Sequence, residues 1–335
     1  MSTPSDRETT PTGNILIYGA TGYTGTLIAE HATRAGLQIT IGGRNPARVA
    51  ALAEQLDSPA VVFDAADADQ AVRALEPFDV LLNVAGPFRH TAEPLMRASL
   101  DSGTHYLDTT AEFETFTTAA SFDDAARRAG VMIMSGVGWD VVPTDSLAVY
   151  VAQRAVEPIS LRIAIRIAGG FSRGSLESAA GIENSRTLVR RSGLLVPAPP
   201  ETTRTFDSGD GAEEYTLASM GDLVTGHHST GLGDIEVYLR TDSGFPDRDE
   251  FVSGPTAHER SQDRYHALAE VTEHRGKTVR ARIDTPNGYT FTQLSSVEVA
   301  RRAAAGEVRP GFQSPASVYG HQLATSIYST TITDL

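Results

Sequence analysis

The feature that most constrains the fold is a glycine-rich turn near the start of the chain. A short apolar strand over residues 14–18 leads into Gly19-Ala-Thr-Gly-Tyr-Thr-Gly25, and residues 26–35 form a helical pattern that ends at Gly36. In such a unit the glycines permit a tight turn, close approach of a pyrophosphate and close packing of helix on sheet. The helix N-terminus adds unpaired N–H groups and partial positive charge. The turn therefore predicts a dinucleotide site made by Gly19, Thr21, Gly22, Tyr23, Thr24 and Gly25.

The segments after the turn alternate between strand and helix patterns. Strands are predicted over residues 38–41, 60–63, 79–83, 105–108 and 131–134, and helices over residues 46–56, 67–75, 93–102 and 122–129. Asn45 and Pro46 are a typical N-cap and first helical residue, and Asp145 has the features of a later N-cap. This alternation predicts a doubly wound parallel sheet of Rossmann type, which binds ligands at the carboxyl edge of its strands.

The end of the second strand favours NADP over NAD. The usual NAD signal is a carboxylate about 20 residues after the turn, where it binds the ribose 2′-hydroxyl. This strand instead ends in Gly42-Gly-Arg-Asn45, and an arginine suits a 2′-phosphate. We predict NADP as the cofactor, bound in part by Arg44 and Asn45. Further cofactor-binding candidates follow the third and fourth strands: Asp64, Ala85, Gly86 and Pro87.

The second half of the chain has a different pattern. Residues 160–168, 234–241 and 277–284 alternate apolar and polar side chains, which predicts an antiparallel sheet with one polar face. That face is either a solvated surface or an anion-binding or interface surface. Helices are predicted over residues 176–191 and 258–275, and a long loop or flap over residues 196–214. The polar face would carry Arg162, Arg166, Arg240, Arg280 and Arg282.

These patterns together predict an α/β fold with a Rossmann-type doubly wound parallel sheet and a second α+β domain built on an antiparallel sheet. Residues 1–13 are expected to be a disordered tail and residues 14–148 the dinucleotide-binding domain. Residues 149–310 are expected to form a substrate and dimerisation domain. Residues 311–335 are a C-terminal segment that can return to the Rossmann domain.

The composition of the chain removes several classes of function. Its 335 residues include no cysteine and one lysine, Lys277, so thiolate chemistry, a P-loop lysine and a Tyr-x-x-x-Lys pair are excluded. A formal net charge of −14 argues against nucleic-acid binding. No apolar run approaches the roughly 20 residues of a membrane helix, and the polar start lacks the apolar region of a secretory signal. We expect a cytoplasmic protein without membrane insertion, and the spacing of its histidines predicts no metal site.

Several further motifs occur in order along most of the chain. In the first half they are Ala85-Gly-Pro-Phe88, Gly103-Thr-His-Tyr-Leu-Asp108 and Gly138-Trp-Asp-Val-Val-Pro-Thr-Asp145. In the second half they are Ser172-Arg-Gly-Ser175, His228-Ser-Thr-Gly231 and Ser314-Pro-Ala-Ser-Val-Tyr-Gly320. With the glycine turn and Gly43-Arg-Asn45, this series resembles the saccharopine dehydrogenase-like reductases, a family that includes trans-acting enoyl reductases. The chain departs from the family pattern at Trp139 and Val141, where relatives have phenylalanine and serine. The resemblance implies an NADP-binding Rossmann domain, an α+β second domain and reductase activity.

Reduction by a nicotinamide also needs a proton donor, and the candidates follow strands at the predicted ligand edge. Tyr106, Asp108 and Asp140 are the predicted catalytic residues. Each has an alternative role, since a buried tyrosine is often simply hydrogen-bonded and an aspartate often caps a turn or helix. Trp139 and Arg173 are predicted to bind substrate, with Arg173 on a carboxylate or phosphate.

The leading functional prediction is an NADP-dependent reductase. It would transfer a hydride to a C=C (enoyl) or C=N (imine) bond of a small or carrier-bound substrate, and a homodimer is expected. A dehydrogenase working in the amine-oxidising direction is the alternative among enzymes. Outside enzymes, the alternatives are an NADP-binding redox sensor without turnover and an interaction protein that uses the polar sheet face.

Overall fold

The structure is a computed structural model that describes residues 13–184, 186–242 and 253–335. The predicted tail, residues 1–13, lies outside these ranges except for residue 13. The strands are β1 (Ile15–Tyr18), β2 (Ile39–Gly43), β3 (Ala60–Val62), β4 (Val80–Asn83), β5 (His105–Asp108), β6 (Met132–Met134), β7 (Pro158–Ile167), β8 (Leu188–Arg191), β9 (Leu194–Pro197), β10 (Thr203–Asp207), β11 (Ala212–Leu217), β12 (Asp234–Thr241), β13 (Arg264–Glu273), β14 (Thr278–Pro286), β15 (Gly311–Phe312) and β16 (Thr331–Asp334).

The helices fill the connections between these strands. They are α1 (Tyr23–Arg34), α2 (Pro46–Gln55), α3 (Ala68–Leu75), α4 (Phe88–Ser102), α5 (Phe113–Ser121), α6 (Asp123–Ala129), α7 (Val142–Ala152), α8 (Arg173–Asn184), α9 (Asp222–Thr230), α10 (Ala257–Gln262), α11 (Gly288–Ala304), α12 (Pro315–Tyr319) and α13 (Gln322–Ser326). No described helix is long and apolar enough to cross a membrane.

The first sheet confirms the predicted Rossmann-type architecture. Its seven strands follow the order β15-β6-β5-β4-β1-β2-β3 and pair in parallel. The carboxyl ends of β1 and β4 are therefore neighbours, and the turns that follow them meet at one edge of the sheet. The seventh strand, β15, comes from the C-terminal segment and pairs with β6.

Two helices near this edge differ from the sequence prediction. Helix α4 was predicted to begin at residue 93 but begins at Phe88. Pro94 therefore lies inside the helix and not in its first turn. Helix α5 was not predicted. It has few of the capping signals that mark α2, where the Asn45 side chain accepts the N–H of Arg48 at 3.1 Å.

The second sheet has nine strands and confirms a sheet-based second half, with one change in strand direction. The sheet order is β10-β11-β12-β7-β13-β14-β16; β8 also pairs with β12, and β9 pairs with β8. Its pairs are antiparallel except β7 with β12, which run parallel. A parallel pair needs a long crossover connection, and here the chain passes through α8, two β-hairpins and α9 between these strands.

Three local predictions in this half are wrong. The predicted helix over residues 258–275 ends at Gln262, and residues 264–273 form β13 between β7 and β14. The predicted helix over residues 176–191 ends at Asn184, and β8 follows. Residues 196–214 are not a loop, since they contain the end of β9, β10 and the start of β11. Pairing on both edges of β13 outweighs the helix propensity of its Ala, Leu and Glu residues.

The polar face of the second sheet is an ion-pair network. Arg162 pairs with Glu236 and Glu270, and Arg166 pairs with Asp242 and Glu213. The turn between β10 and β11 folds over the same face, where Asp210 pairs with Arg282. These arginines already have carboxylate partners, so the face is neither a simple solvated surface nor a row of free cations.

The hydrophobic core is continuous from one sheet to the other. One buried cluster includes strands of both sheets and helices α1, α7 and α11. Asp145 lies within the first turn of α7, which begins at Val142, so the predicted N-cap role is wrong. Its buried carboxylate instead accepts the Ser229 hydroxyl at 2.5 Å and the Ala316 N–H at 2.8 Å, which fixes α9 and α12 against α7.

Candidate functional site

The glycine turn leaves open space at one of its three glycines. Gly19 has φ +86°, and a Cβ on it would lie 2.7 Å from the Ala85 backbone. A Cβ on Gly25 would lie 2.4 Å from the Gly19 carbonyl oxygen, so this glycine lets the helix pack against the turn. A Cβ on Gly22 would meet nothing closer than 3.5 Å. The space over Gly22 is therefore free of protein atoms, as a cradle for a bound group requires.

The N-terminus of α1 faces this space and has no side-chain cap. Gly22 is the N-cap residue, the first turn of α1 carries no acidic residue, and no side chain accepts a capping hydrogen bond there. The first N–H groups of a helix have no partner within the helix and favour an anion. The Gly22 N–H donates to the Gly19 carbonyl at 3.1 Å, so Tyr23 and Thr24 are the residues whose backbone N–H groups can bind a diphosphate, as in a dinucleotide site.

The ends of β2 and β3 form the next part of this edge. Arg44 is exposed and forms no ion pair within the described chain, and Arg48 donates from the first turn of α2 to the carbonyl of Thr21. Sequence reasoning missed Arg48, although its spacing of four residues from Arg44 was a usable signal. The Asn45 side chain is used as the cap of α2. The Asp64 carboxylate accepts the N–H of Ala66 at 3.0 Å.

The loop after β4 is held in place by Asn83. Its amide donates to the Tyr106 hydroxyl at 3.1 Å, and its carbonyl oxygen accepts the N–H of Ala85 at 3.0 Å. This fixes residues 85–87 against the glycine turn. Tyr106 is fully buried, and burial raises its pKa well above the ordinary value. A side chain with no exposed surface and a hydroxyl engaged by Asn83 is poorly placed to give a proton to a substrate.

Asp108 is also fully buried and organises the loops at the ends of β5 and β6. Its carboxylate accepts the N–H groups of Thr110 and Gly136 at 3.0 Å and the Ser135 hydroxyl at 2.8 Å. Burial raises the pKa of Asp108 to about 6. These contacts place Asp108 beside the site as a support for its loops, one strand end away from Asp140.

Asp140 has the surroundings of a proton donor or acceptor. It is half-buried in the loop between β6 and α7, and no other described residue donates a hydrogen bond to its carboxylate. Burial raises its pKa to about 6. A carboxyl group of this kind can change protonation state near neutral pH.

An aromatic wall connects Asp140 to the glycine turn. The Trp139 and Tyr265 rings are edge-on, with their centres 4.9 Å apart, and the Tyr23 and Tyr289 rings are edge-on with their centres 5.1 Å apart. Burial raises the pKa of both Tyr265 and Tyr289, and the nearby Asp140 carboxylate raises each further. Sequence reasoning missed Tyr265 and Tyr289, since β13 and α11 reach this edge only through the tertiary fold.

Both ends of this wall are fixed by hydrogen bonds. The Trp139 indole N–H donates to the Thr285 hydroxyl at 2.7 Å. The Tyr289 hydroxyl accepts the Ser172 N–H at 2.6 Å and lies 2.7 Å from the Ser175 hydroxyl. Trp139 is thus held in a buried position next to Asp140, and its role in substrate binding stays a prediction.

Arg173 is not brought into this cluster by any described contact. Its side chain is 81% exposed and pairs with Glu177 at 3.0 Å, four residues along α8. The described ranges also hold no group of three or more His, Asp or Glu side chains arranged to bind a metal ion.

Comparison with known proteins agrees with this geometry. Residues 15–134 match the family model described as the saccharopine dehydrogenase NADP binding domain. A relative from Arabidopsis thaliana, named probable mitochondrial saccharopine dehydrogenase-like oxidoreductase, is 31% identical over 219 residues, which are 56% of this chain and 48% of the relative. A trans-acting enoyl reductase of Mycobacterium ulcerans is 30% identical over 151 residues, which are 43% of this chain and 36% of the relative.

A solved structure extends the likeness in fold to nearly the whole chain. Apo saccharopine dehydrogenase (L-Glu forming) from Saccharomyces cerevisiae matches with a TM-score of 0.66 at 12% identity, covering 96% of this chain and 100% of that chain. The sequence matches span about half or less of the curated relatives. Residues 15–134 form an NADP-binding domain of the saccharopine dehydrogenase type. The predicted resemblance to the saccharopine dehydrogenase-like oxidoreductases and the predicted cofactor are confirmed.

Proposed function

We propose that this protein is an NADP-dependent reductase that transfers a hydride to a C=C or C=N bond of a small or carrier-bound substrate. The observation that carries the proposal is the position of Asp140. This unpaired, half-buried carboxyl group lies beside an aromatic wall that begins at the dinucleotide turn. The arrangement would supply a cofactor cradle, apolar aromatic surroundings and one group that can move a proton.

The residues at the site would have different roles in such a reaction. Bound NADPH supplies the hydride. Asp140 holds the proton that completes the reduction and donates it to the substrate atom that becomes negative when the hydride is added, a carbon in an enoyl group or the nitrogen of an imine. Trp139, Tyr265 and Tyr289 are buried beside Asp140 and would exclude water from the reacting atoms. Tyr106 and Asp108 support the loops around the site in this proposal, which leaves Asp140 as the catalytic residue.

The substrate is best sought among conjugated acyl groups. No lysine lies at the site for a Schiff base, since Lys277 is exposed at the far end of the β13–β14 hairpin. The trans-acting enoyl reductase among the relatives supports testing C=C bonds first. We propose residues 14–148 as the cofactor-binding part and residues 149–310 as the part that completes the substrate site. A cytoplasmic location and a homodimer stay predictions.

The test is turnover of NADPH with defined substrates. The purified protein should consume NADPH, followed by its absorbance, with one or more α,β-unsaturated thioesters or cyclic imines. Asp140→Asn should lower kcat at least about a hundredfold while cofactor affinity stays unchanged. In the wild type, kcat should fall as pH rises through about 6, because Asp140 must be protonated to donate.

Asp124→Asn is the matched control, because Asp124 is an exposed carboxylate on α6. It should leave kcat and its pH profile unchanged. Full turnover in Asp140→Asn would transfer the donor role to another group, with Tyr265 and Tyr289 as the next candidates. Tight NADPH binding without turnover on either substrate class would favour the alternative of a redox sensor.

A further inference from the structure

Arg260 reaches the dinucleotide turn from outside the NADP-binding domain. It lies on α10, whose start is fixed by a capping box between Thr256 and Glu259. One terminal nitrogen of its guanidinium donates to the Tyr23 hydroxyl at 2.7 Å and to the Pro255 carbonyl at 2.8 Å. The Tyr23 hydroxyl in turn donates to Pro255. A residue 237 positions away in sequence is thus in direct contact with the first residue of α1.

The hydrogen-bonding capacity of Arg260 is only partly used. No carboxylate within the described residues pairs with it, and its Nε is buried without an acceptor. The adjacent Glu259 is occupied by the Thr256 cap. Buried donors normally have partners. Arg240, Arg280 and Arg282 also have a buried Nε without an acceptor, but each of these guanidinium groups pairs with a carboxylate. Among these four arginines of the described chain, Arg260 alone has no carboxylate partner. An unpaired guanidinium at this place therefore indicates a missing anion.

The missing anion must lie near the N-terminus of α1. Tyr23 connects the two features, because its backbone belongs to the uncapped turn and its hydroxyl contacts Arg260. The guanidinium carbon of Arg260 lies 5.9 Å from the centre of the Tyr23 ring. We propose that Arg260 is a cofactor ligand that binds the diphosphate of NADP from the side opposite the glycine turn, with Tyr23 as its positioning residue.

This proposal rests on NADP binding at the glycine turn, and it predicts a pattern of affinities distinct from that of Arg44. Arg260 would contact the diphosphate, which NADPH and NADH share. Arg44 would contact the 2′-phosphate, which NADPH shares with adenosine 2′-monophosphate. The two arginines can therefore be separated by ligands that contain one phosphate group or the other.

The experiment is calorimetric binding of NADPH, NADH and adenosine 2′-monophosphate to the full chain without substrate. Arg260→Ala should raise the Kd of both dinucleotides by about tenfold or more, the range expected for a lost charge-assisted hydrogen bond. It should leave adenosine 2′-monophosphate unaffected. Tyr23→Phe should produce a smaller loss of the same pattern. Arg264→Ala is the matched control, because Arg264 is exposed at the start of β13 and its guanidinium donates to Ser329.

Two results would overturn the proposal. One is unchanged NADPH affinity in Arg260→Ala, which would leave a contact between α10 and Tyr23 with no role in binding. The other is an equal loss for adenosine 2′-monophosphate, which would indicate a distorted turn. If Arg260→Ala does not fold, Arg260→Met keeps the apolar stem against Tyr23 and gives the same two readings. Failure here leaves wild-type NADPH binding and turnover intact, so it is distinguishable from failure of the proposed reductase activity.

Discussion

Two helix N-termini lie at the carboxyl edge of the first sheet. A side chain accepts hydrogen bonds from the first N–H groups of one helix but not of the other. Helix α1 follows β1 and has no side-chain cap. Helix α4 follows the neighbouring β4, and its Phe88 and Arg89 N–H groups both donate to the Glu112 carboxylate at 2.8 Å. Both ends have the same backbone donors and the same partial charge. The difference is that α4 already holds an anion supplied by the protein.

This comparison supports the proposal that a diphosphate binds at α1 and not at α4. An anion near α4 would meet the carboxylate of Glu112, whereas the first turn of α1 carries no acidic residue. Glu112 also accepts the Ser178 hydroxyl at 2.8 Å, so the cap of α4 is connected to α8 in the second half of the chain. In the proposed site, the uncapped end of α1 binds the cofactor, and the capped end of α4 joins two parts of the fold.

The largest effect is expected on NADPH affinity, from a substitution at the uncapped N-terminus of α1. Gly22→Ala should weaken NADPH binding by about 3 kcal/mol, because the new methyl group keeps phosphate from the backbone donors whose charge-assisted bonds are worth about that much. The free energy of unfolding should change by less than about 1 kcal/mol, since the nearest atom is 3.5 Å away. Gly25→Ala is the contrasting variant and should destabilise the fold as well as binding. Unaltered NADPH affinity in Gly22→Ala would place the diphosphate elsewhere.

A substitution at the capped N-terminus of α4 should lower the free energy of unfolding. Glu112→Ala removes the acceptor of two helix N–H groups and one hydroxyl in a buried place, which should lower the free energy of unfolding by about 2 kcal/mol or more. Denaturant titration measures this, with exposed Glu114→Ala as the control that changes it by less than about 0.5 kcal/mol. A drop no larger than that of the control would mean that water caps α4 equally well.

A smaller effect is expected for the arginine beside the open end. Arg44→Ala should weaken NADPH binding by about 1.4 kcal/mol, or tenfold, through loss of its contact to the 2′-phosphate. NADH affinity should stay nearly the same. Parallel calorimetry with both cofactors checks this, and equal losses for the two would remove Arg44 from the 2′-phosphate site.

A third helix N-terminus, that of α9, should make the stability of the protein depend on pH. Helix α9 begins at Asp222, a fully buried carboxyl group whose pKa is raised, mainly by burial, from 3.8 to about 8. Its contribution to stability is complete only below the unfolded pKa and falls as pH rises from about 4 to about 8, because over this range the unfolded carboxyl group ionises while the folded one stays protonated. Asp222→Asn should therefore match the wild type near pH 4 and be the more stable protein near pH 9. Denaturation at both pH values tests this, with Asp124→Asn as control, and parallel curves for Asp222→Asn and wild type would exclude a raised pKa.

The first half of the chain was predictable because its signals are local. The glycine turn, the Asn45 cap with Pro46 and the glycines that end helices each lie within a few residues of the structure they specify. The start of helix α4 was mispredicted near Pro94, because proline commonly occupies the first turn of a helix. In the second half, β13 has an Ala-, Leu- and Glu-containing sequence that fits a helix equally well by composition, and only its two neighbouring strands make it a strand.

The candidate site divides in the same way. The sequence by itself determined the glycine turn between a strand and a helix, and it named Arg44 and Asp140 as candidates, because each follows a strand within one βα unit. Only the tertiary structure decided that Tyr106 is buried, that Glu112 closes α4 and that Tyr265, Tyr289 and Arg260 reach the turn. These contacts join segments up to 237 residues apart. Their formation depends on how the two sheets pack, and no local pattern of residues encodes that.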